Sequence, residues 1–156
     1  MPIRPARPSE AAALTALALR SKARLGYDAA FMAACRAELT LESGQIEADR
    51  TTVAEDDGRV LGFVTPTGAP PEGGTDLLFV EPDAVGRGIG RRLVEHLCAE
   101  TAALGLTRIV VDSDSHAEPF YLALNAARTG TVAPGSIPGR ELPLLTRYLT
   151  EPAPGR

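Results

Sequence analysis

Residues 77–93 read Leu77-Leu78-Phe79-Val80-Glu81-Pro82-Asp83-Ala84-Val85-Gly86-Arg87-Gly88-Ile89-Gly90-Arg91-Arg92-Leu93. The apolar run at the start is typical of a buried strand, and apolar residues recur at helical spacing after Gly88. A glycine turn between a strand and a helix directs unpaired backbone N–H groups and the positive end of the helix dipole at one point. This unit therefore predicts a phosphate site, although a turn that only starts a helix has the same pattern.

The spacing of the glycines restricts the kind of phosphate ligand. A dinucleotide fingerprint needs a glycine where Arg91 stands, and a nucleotide P-loop needs Gly-Lys-Ser or Gly-Lys-Thr, which the chain lacks. Both common nucleotide motifs are therefore excluded at this turn.

The regions around this unit indicate a mixed α/β chain. Asp56-Asp57-Gly58 predicts a tight turn between two strands, and the pattern from Gly88 to Leu104 predicts a long helix that buries Leu93, Val94 and Leu97. We further predict a helix over Asp28 to Leu39, loops over the polar run ending at Asp49 and over Thr67 to Gly74, a short helix over Ala117 to Ala126, and a last strand over Leu142 to Leu149.

The glycine turn resembles the pyrophosphate-binding motif of the GCN5-related N-acetyltransferases (GNAT), which reads Gln or Arg, two residues, Gly, one residue, then Gly or Ala. Gly88 and Gly90 match that motif, whereas Val85 stands at the Gln or Arg position. The hairpin end Gly62-Phe63-Val64 and the segment Ala117-Glu118-Pro119-Phe120-Tyr121 also fall where the family has its equivalents. The resemblance implies a mixed, partly antiparallel central sheet flanked by helices.

Acetyl-CoA is the co-substrate that the resemblance implies, and no metal is expected. Phe79 and Val80 would act through their backbones, and Asp114 replaces an asparagine that is frequent in the family. The implied cofactor-binding residues are Phe79, Val80, Val85, Gly86, Arg87, Gly88, Ile89, Gly90, Arg91 and Asp114.

The resemblance gives Tyr121 the role of general acid for the leaving thiolate, against the alternative that it is a core aromatic residue. Asp76 is the candidate base, because strand alternation places it on the same face as Leu78 and Val80. Glu55 and Glu81 remain competing candidates for the base.

Lys22 and Tyr27 lie in the region that covers the acceptor cleft in the family, and they are the expected substrate-side residues. His116 either contacts substrate or caps the short helix that follows it. The resemblance predicts transfer of acetyl to a primary amine by direct attack in a ternary complex. A small molecule is the preferred acceptor, and a protein is the second choice. The alternative is a domain that binds acyl-CoA without turnover.

The composition of the chain limits the number of domains and the kinds of partner that we expect. The 156 residues, 44% of them hydrophobic, predict one domain over 1–150, and the segment 151–156 is too polar to order itself. A net charge of −4 speaks against a nucleic-acid partner. Because no apolar run has the length of a membrane span, we expect a cytoplasmic protein with no membrane partner. A homodimer is left open.

Overall fold

The structure is a computed structural model that describes residues 2–69, 72–113, 116–133 and 141–149, with the backbone alone at 68, 69, 72, 75 and 76. The expected polar tail, 151–156, lies outside the described residues. The helices are α1 (Ala11–Ala23), α2 (Ala29–Leu39), α3 (Ser43–Ala48), α4 (Ile89–Ala103) and α5 (Glu118–Leu122). The strands are β1 (Ile3–Pro5), β2 (Thr52–Asp56), β3 (Arg59–Ala69), β4 (Glu72–Val80), β5 (Arg108–Asp112), β6 (Ala127–Val132) and β7 (Leu142–Tyr148).

The strands form one sheet in the order β1-β2-β3-β4-β5-β7-β6. The β4–β5 pair is parallel, and the other pairs are antiparallel. This arrangement confirms the predicted mixed, partly antiparallel sheet flanked by helices. The parallel pair lies in the middle of the sheet and contains β4, the strand that leads into the glycine turn.

The β2–β3 hairpin forms at the predicted turn. Asp57 (φ 52°) and Gly58 (φ 80°) both adopt the left-handed conformation between the paired residues Asp56 and Arg59. Two left-handed central residues match the right-handed twist of the flanking strands, and Asp-Gly tolerates them best. Local sequence chemistry therefore fixes this hairpin.

The loop predicted over Thr67 to Gly74 is wrong. β3 continues to Ala69, β4 begins at Glu72, and Thr67 pairs with Gly74. The glycines here serve close backbone packing, because a Cβ on Gly74 would lie 2.5 Å from the carbonyl oxygen of Val110 on β5. The polar run before Asp49 also differs from its predicted loop, since it contains α3, whose buried residue is Ile46.

Two separate apolar clusters cover the two faces of the sheet. On one face, Leu93, Val94 and Leu97 of α4 are buried together, as predicted. On the other face, Leu14 of α1 and Cys35 of α2 pack against the sheet. Neighbouring residues of β3 alternate between the clusters, with Phe63 on the α1–α2 side and Val64 on the α4 side.

Candidate functional site

The glycine turn joins β4 to α4 through two left-handed residues, Gly86 (φ 87°) and Gly88 (φ 78°). Gly88 is the N-cap of α4 and has no side chain that could cap the first turn. The amide of Arg92 bonds the carbonyl of Gly88, so the amides of residues 89–91 have no partner in the helix. A Cβ on Gly88 would meet nothing within 4 Å. The turn thus offers open space and several aligned donors to an anion.

Gly90 and Ile89 have different roles from the two turn glycines. A Cβ on Gly90 would lie 3.1 Å from Cζ of Phe120, so this glycine allows the close approach of α4 and α5. The Ile89 side chain is buried with Leu93. Both residues therefore contribute backbone amides to the turn. The Ile89 side chain packs in the core, and the absent side chain of Gly90 lets Phe120 approach α4.

The two predicted arginines of the turn, Arg87 and Arg91, make different contacts. Arg87 donates from Nη2 to Oδ2 of Asp56 on β2 at 3.1 Å, in an exposed ion pair. Arg91 lines the cavity beside the turn, and so does Val85, which is 48% exposed. Arg91 is therefore the better placed of the two predicted arginines for a phosphate, and Val85 adds no hydrogen-bonding side chain.

A cavity of about 860 Å³ adjoins the turn. Residues 77–80 of β4 and the turn residues form one part of its lining. Lys22 and Arg24, at the end of α1, form the second part, and Asp112, His116 and Phe120 the third. A cavity of this size, with apolar walls and a few charged groups, suits a cofactor together with a small acceptor group.

Next to the cavity, β4 separates from β5. The β4–β5 pairing covers residues 72–75 of β4, and residues 77–80 pair with β3 alone among the described strands. Within the described part of the chain, no strand pairs with the other backbone edge of Phe79 and Val80. Both residues line the cavity, as the predicted backbone role requires.

Asp76 lies at an irregularity in β4, so the strand alternation used to place it does not hold. Thr65 pairs with Leu77 and the next residue, Pro66, pairs with Thr75, which leaves Asp76 as the extra residue of a bulge. Its backbone belongs to β4, and its side chain lies outside what the structure describes. Asp114, the other predicted acidic site residue, also lies outside the described residues.

Both competing carboxylates are held in ion pairs. Glu55 accepts hydrogen bonds from Arg4 at 3.2 and 3.3 Å. Glu81 is 7% exposed and accepts from Nε and Nη2 of Arg20 on α1 at 3.1 and 2.7 Å, and this contact raises the pKa of Arg20. Neither carboxylate is among the groups that line the cavity.

Tyr121 follows Phe120 on α5, and the two rings meet edge to face at 5.0 Å. Phe120 lines the large cavity, while Tyr121 is 7% exposed within the α4-side cluster. The sequence identified the aromatic pair, and the structure places the ring of Phe120 nearer to the cavity.

Lys22 and His116, which line the cavity, both contact Tyr27, and Phe31 stacks on the Tyr27 ring. The rings of Tyr27 and Phe31 stack at 4.0 Å, and Nζ of Lys22 lies 5.6 and 5.7 Å from their centroids. The Tyr27 hydroxyl lies 3.1 Å from Nδ1 of His116, which is exposed and lines the cavity. Sequence reasoning missed Phe31, whose only signal was its helical spacing from Tyr27.

Other chemistries find less support. Both cysteines are buried, and desolvation raises the pKa of the Cys98 thiol. Within the described ranges, no three His, Cys, Asp or Glu side chains group as a metal site. The helices in those ranges are too short or too polar to cross a bilayer.

A family model described as an acetyltransferase (GNAT) domain matches residues 47–125, a range that contains the turn and the separating strands. The peptidyl-lysine N-acetyltransferase YjaB of Salmonella typhimurium is 36% identical over 99 residues. That alignment covers 64% of this chain and 63% of YjaB, so the match spans less than two thirds of the relative's length.

Two solved structures have the same fold. A GCN5-related N-acetyltransferase from Rhodopseudomonas palustris is 23% identical, with a TM-score of 0.79 and 94% of each chain covered. The PaiA N-acetyltransferase from Thermoplasma acidophilum, in complex with coenzyme A, is 15% identical, with a TM-score of 0.80 and coverage of 94% of this chain and 98% of that one.

Proposed function

This chain belongs to the acetyltransferase (GNAT) family, and on that premise we propose that it transfers the acetyl group of acetyl-CoA to a primary amine. The observation that carries the proposal is the open, uncapped start of α4 beside the separated edge of β4. Amides 89–91 suit the pyrophosphate, and the free edge at Phe79 and Val80 suits the pantetheine and the thioester. Arg91 supplies positive charge beside the turn.

The acceptor is a primary amine, with a small molecule as the first candidate. Lys22 and Arg24, at the end of α1, line the same cavity as the glycine turn, and we assign this part of the lining, the acceptor wall, to the acceptor. The similarity to YjaB, a peptidyl-lysine N-acetyltransferase, makes peptidyl lysine the second candidate. Both acceptors require the same chemistry at nitrogen.

We assign the proton transfers to Tyr121 and Asp76. An amine with a pKa near 10.4 costs about 4.6 kcal/mol to deprotonate at pH 7, so a nearby carboxylate assists, directly or through water. Asp76 is at the β4 bulge where the strands separate. Tyr121 is one residue from Phe120, which lines the cavity, and its proposed role is to protonate the departing thiolate. In the proposed ternary complex, the amine attacks the thioester of acetyl-CoA directly, without an acyl-enzyme intermediate.

The test is an amine panel with acetyl-CoA, in which release of free thiol is followed. The panel contains small amines of several classes and a lysine-containing peptide, and acetyl-CoA without amine is the control. We expect thiol release that depends on one class of amine. If CoA binds in calorimetry and no amine increases thiol release, the protein binds acyl-CoA without turnover, and the proposal fails.

A further inference from the structure

Lys22 is set apart by composition as well as by position. Sixteen residues of the chain are lysine or arginine, and Lys22 is the only lysine among them. The other fifteen are arginine. The single ε-amine of the protein is therefore at one specific place in the fold.

That place is the cavity proposed to hold the thioester. Lys22 lines it from the end of α1, and Leu78, Phe79 and Val80 of the separated strand line it as well. Its side chain is only partly exposed. Lys22 and the backbone of β4 therefore line the same cavity.

An aromatic pair holds the amine at this position. Nζ of Lys22 lies 5.6 Å from the ring centroid of Tyr27 and 5.7 Å from that of Phe31, within the range of a cation–π contact. Tyr27 is itself fixed by its stacking on Phe31 and by its contact with His116 across the cavity rim. The lysine is thus positioned by residues from α2 and from the segment before α5.

Charge alone does not explain a lysine here. Arg20 and Arg24 flank Lys22 on the same helix, and Arg24 lines the same cavity. A guanidinium stacks on aromatic rings and keeps its charge more firmly than an ammonium, so arginine would serve a purely electrostatic role better. An amine differs from a guanidinium in that it can lose its proton and form an amide.

We propose that Lys22 is itself an acetyl acceptor, so that the protein acetylates its own cavity; this rests on the proposed function. In the step, the Lys22 ammonium first releases one proton to solvent; neutral Nζ then attacks the thioester carbonyl carbon, the C–N bond forms, and the C–S bond breaks. The nitrogen loses one proton and the sulfur gains one, which gives acetyl-Lys22 and free CoA thiol. The product has lost the positive charge that faces Tyr27 and Phe31.

The single lysine makes the experiment direct. The full chain is incubated with acetyl-CoA and without amine, its intact mass is followed, and the modified residue is mapped by peptide sequencing. We expect a gain of one acetyl group per chain at Lys22, at a rate per chain that does not change with protein concentration. Lys22→Arg, which keeps the positive charge, should gain no acetyl at this position.

Two controls separate this step from ordinary chemical acetylation. Excess CoA, which competes for the turn, should suppress the modification in the wild-type chain, and urea-unfolded protein should acquire it more slowly. The proposal is overturned if Lys22 is acetylated at the same rate with and without excess CoA, or at the same rate in folded and unfolded protein. Acetylation confined to the N-terminal amine also overturns it. If external amines are acetylated while Lys22 stays unmodified, self-acetylation is wrong and the proposed function stands. If CoA does not bind in calorimetry, the proposed function is wrong, and self-acetylation, which rests on it, is wrong as well.

Discussion

Arg20 and Glu81 form a two-bond ion pair between α1 and the end of β4. The Arg20 Nε and Nη2 atoms donate to Oε1 and Oε2 of Glu81 at 3.1 and 2.7 Å, and the carboxylate is buried while the guanidinium is half exposed. Arg59 lies 3.8 Å from the same carboxylate. Since Glu81 directly follows β4 and Arg20 lies in the last turn of α1, the pair joins the end of α1 to the segment between β4 and the glycine turn.

We expect Arg20→Ala to lower the free energy of unfolding by about 1.5–3 kcal/mol, because a hydrogen-bonded, buried carboxylate loses its main partner. Arg36→Ala is the matched control, since Arg36 also lies in the last turn of its helix and is exposed. That control should change stability by less than about 0.5 kcal/mol. Urea unfolding measures both, and equal losses would show that the ion pair adds nothing.

Gly88→Glu should lower CoA affinity at least about tenfold, which is about 1.4 kcal/mol. The new side chain would bring a carboxylate into the open space before the amides of α4. Gly105→Glu is the control, because Gly105 also has a positive φ and nothing within 4 Å of an added Cβ, but lies after the far end of α4. Calorimetry with CoA compares the two variants. Equal affinity in both, with both folded, would move the cofactor site elsewhere.

Gly74→Ala should destabilise the sheet by more than about 1 kcal/mol, since its Cβ would lie 2.5 Å from the Val110 carbonyl oxygen, and backbone cannot yield without separating β4 from β5. Gly44→Ala in α3 meets nothing within 4 Å, and we expect it to stabilise by about 0.5–1 kcal/mol. Thermal and urea unfolding measure the stability of both variants. A neutral Gly74→Ala would mean that the two strands are further apart than described.

Stability should fall as acid titrates Glu10. Hydrogen bonds from Arg4 are the main cause that lowers the pKa of Glu10 below its ordinary value of 4.5. A lowered folded-state pKa means that the unfolded chain binds the proton first. The contribution is therefore complete above about pH 4.5 and is lost as pH falls through the folded-state pKa. In urea unfolding across this range, Glu10→Gln should show a shallower pH dependence than the wild type, and parallel profiles would contradict the assignment.

Tyr121→Phe should slow the chemical step by roughly 100-fold, the lower end for a general acid, because a thiolate leaves readily. The fold and CoA affinity should survive, since the ring keeps its packing against Phe120. Tyr148→Phe is the control, as Tyr148 is 65% exposed. Single-turnover kinetics on the identified amine measure both variants. An unchanged rate in Tyr121→Phe would make Tyr121 a core residue and leave protonation to solvent.

The elements that the sequence predicted well are those with local causes. The Asp57-Gly58 turn follows from backbone preferences of two residues, and α4 from one amphipathic repeat. Gly73 and Gly74 were misread because glycine marks both loops and close backbone approach, and the carbonyl of Val110 that distinguishes the two is 36 residues away in sequence.

The candidate site divides in the same way. The glycine turn is contiguous in sequence, so its geometry could be predicted from spacing. The bulge at Asp76 depends on how β3 pairs with β4, and the contact of Tyr27 with His116 joins residues 89 positions apart. No local pattern contains such pairings. The sequence shows that Lys22 is the only lysine, but its place beside Tyr27 and Phe31 appears only in the structure.

The sheet separates the two apolar clusters so that they have no side chain in common. Energetic coupling is weak between residues without shared partners. Substitutions on the outer parts of α1 and α2 can therefore accumulate without disturbing α4 and the turn. The family match, which begins at residue 47, leaves both of these helices out. In such a molecule the apolar packing of α1 and α2 can change on one side of the sheet while that of α4 is preserved on the other, and the Arg20–Glu81 pair is a contact that still links the two sides.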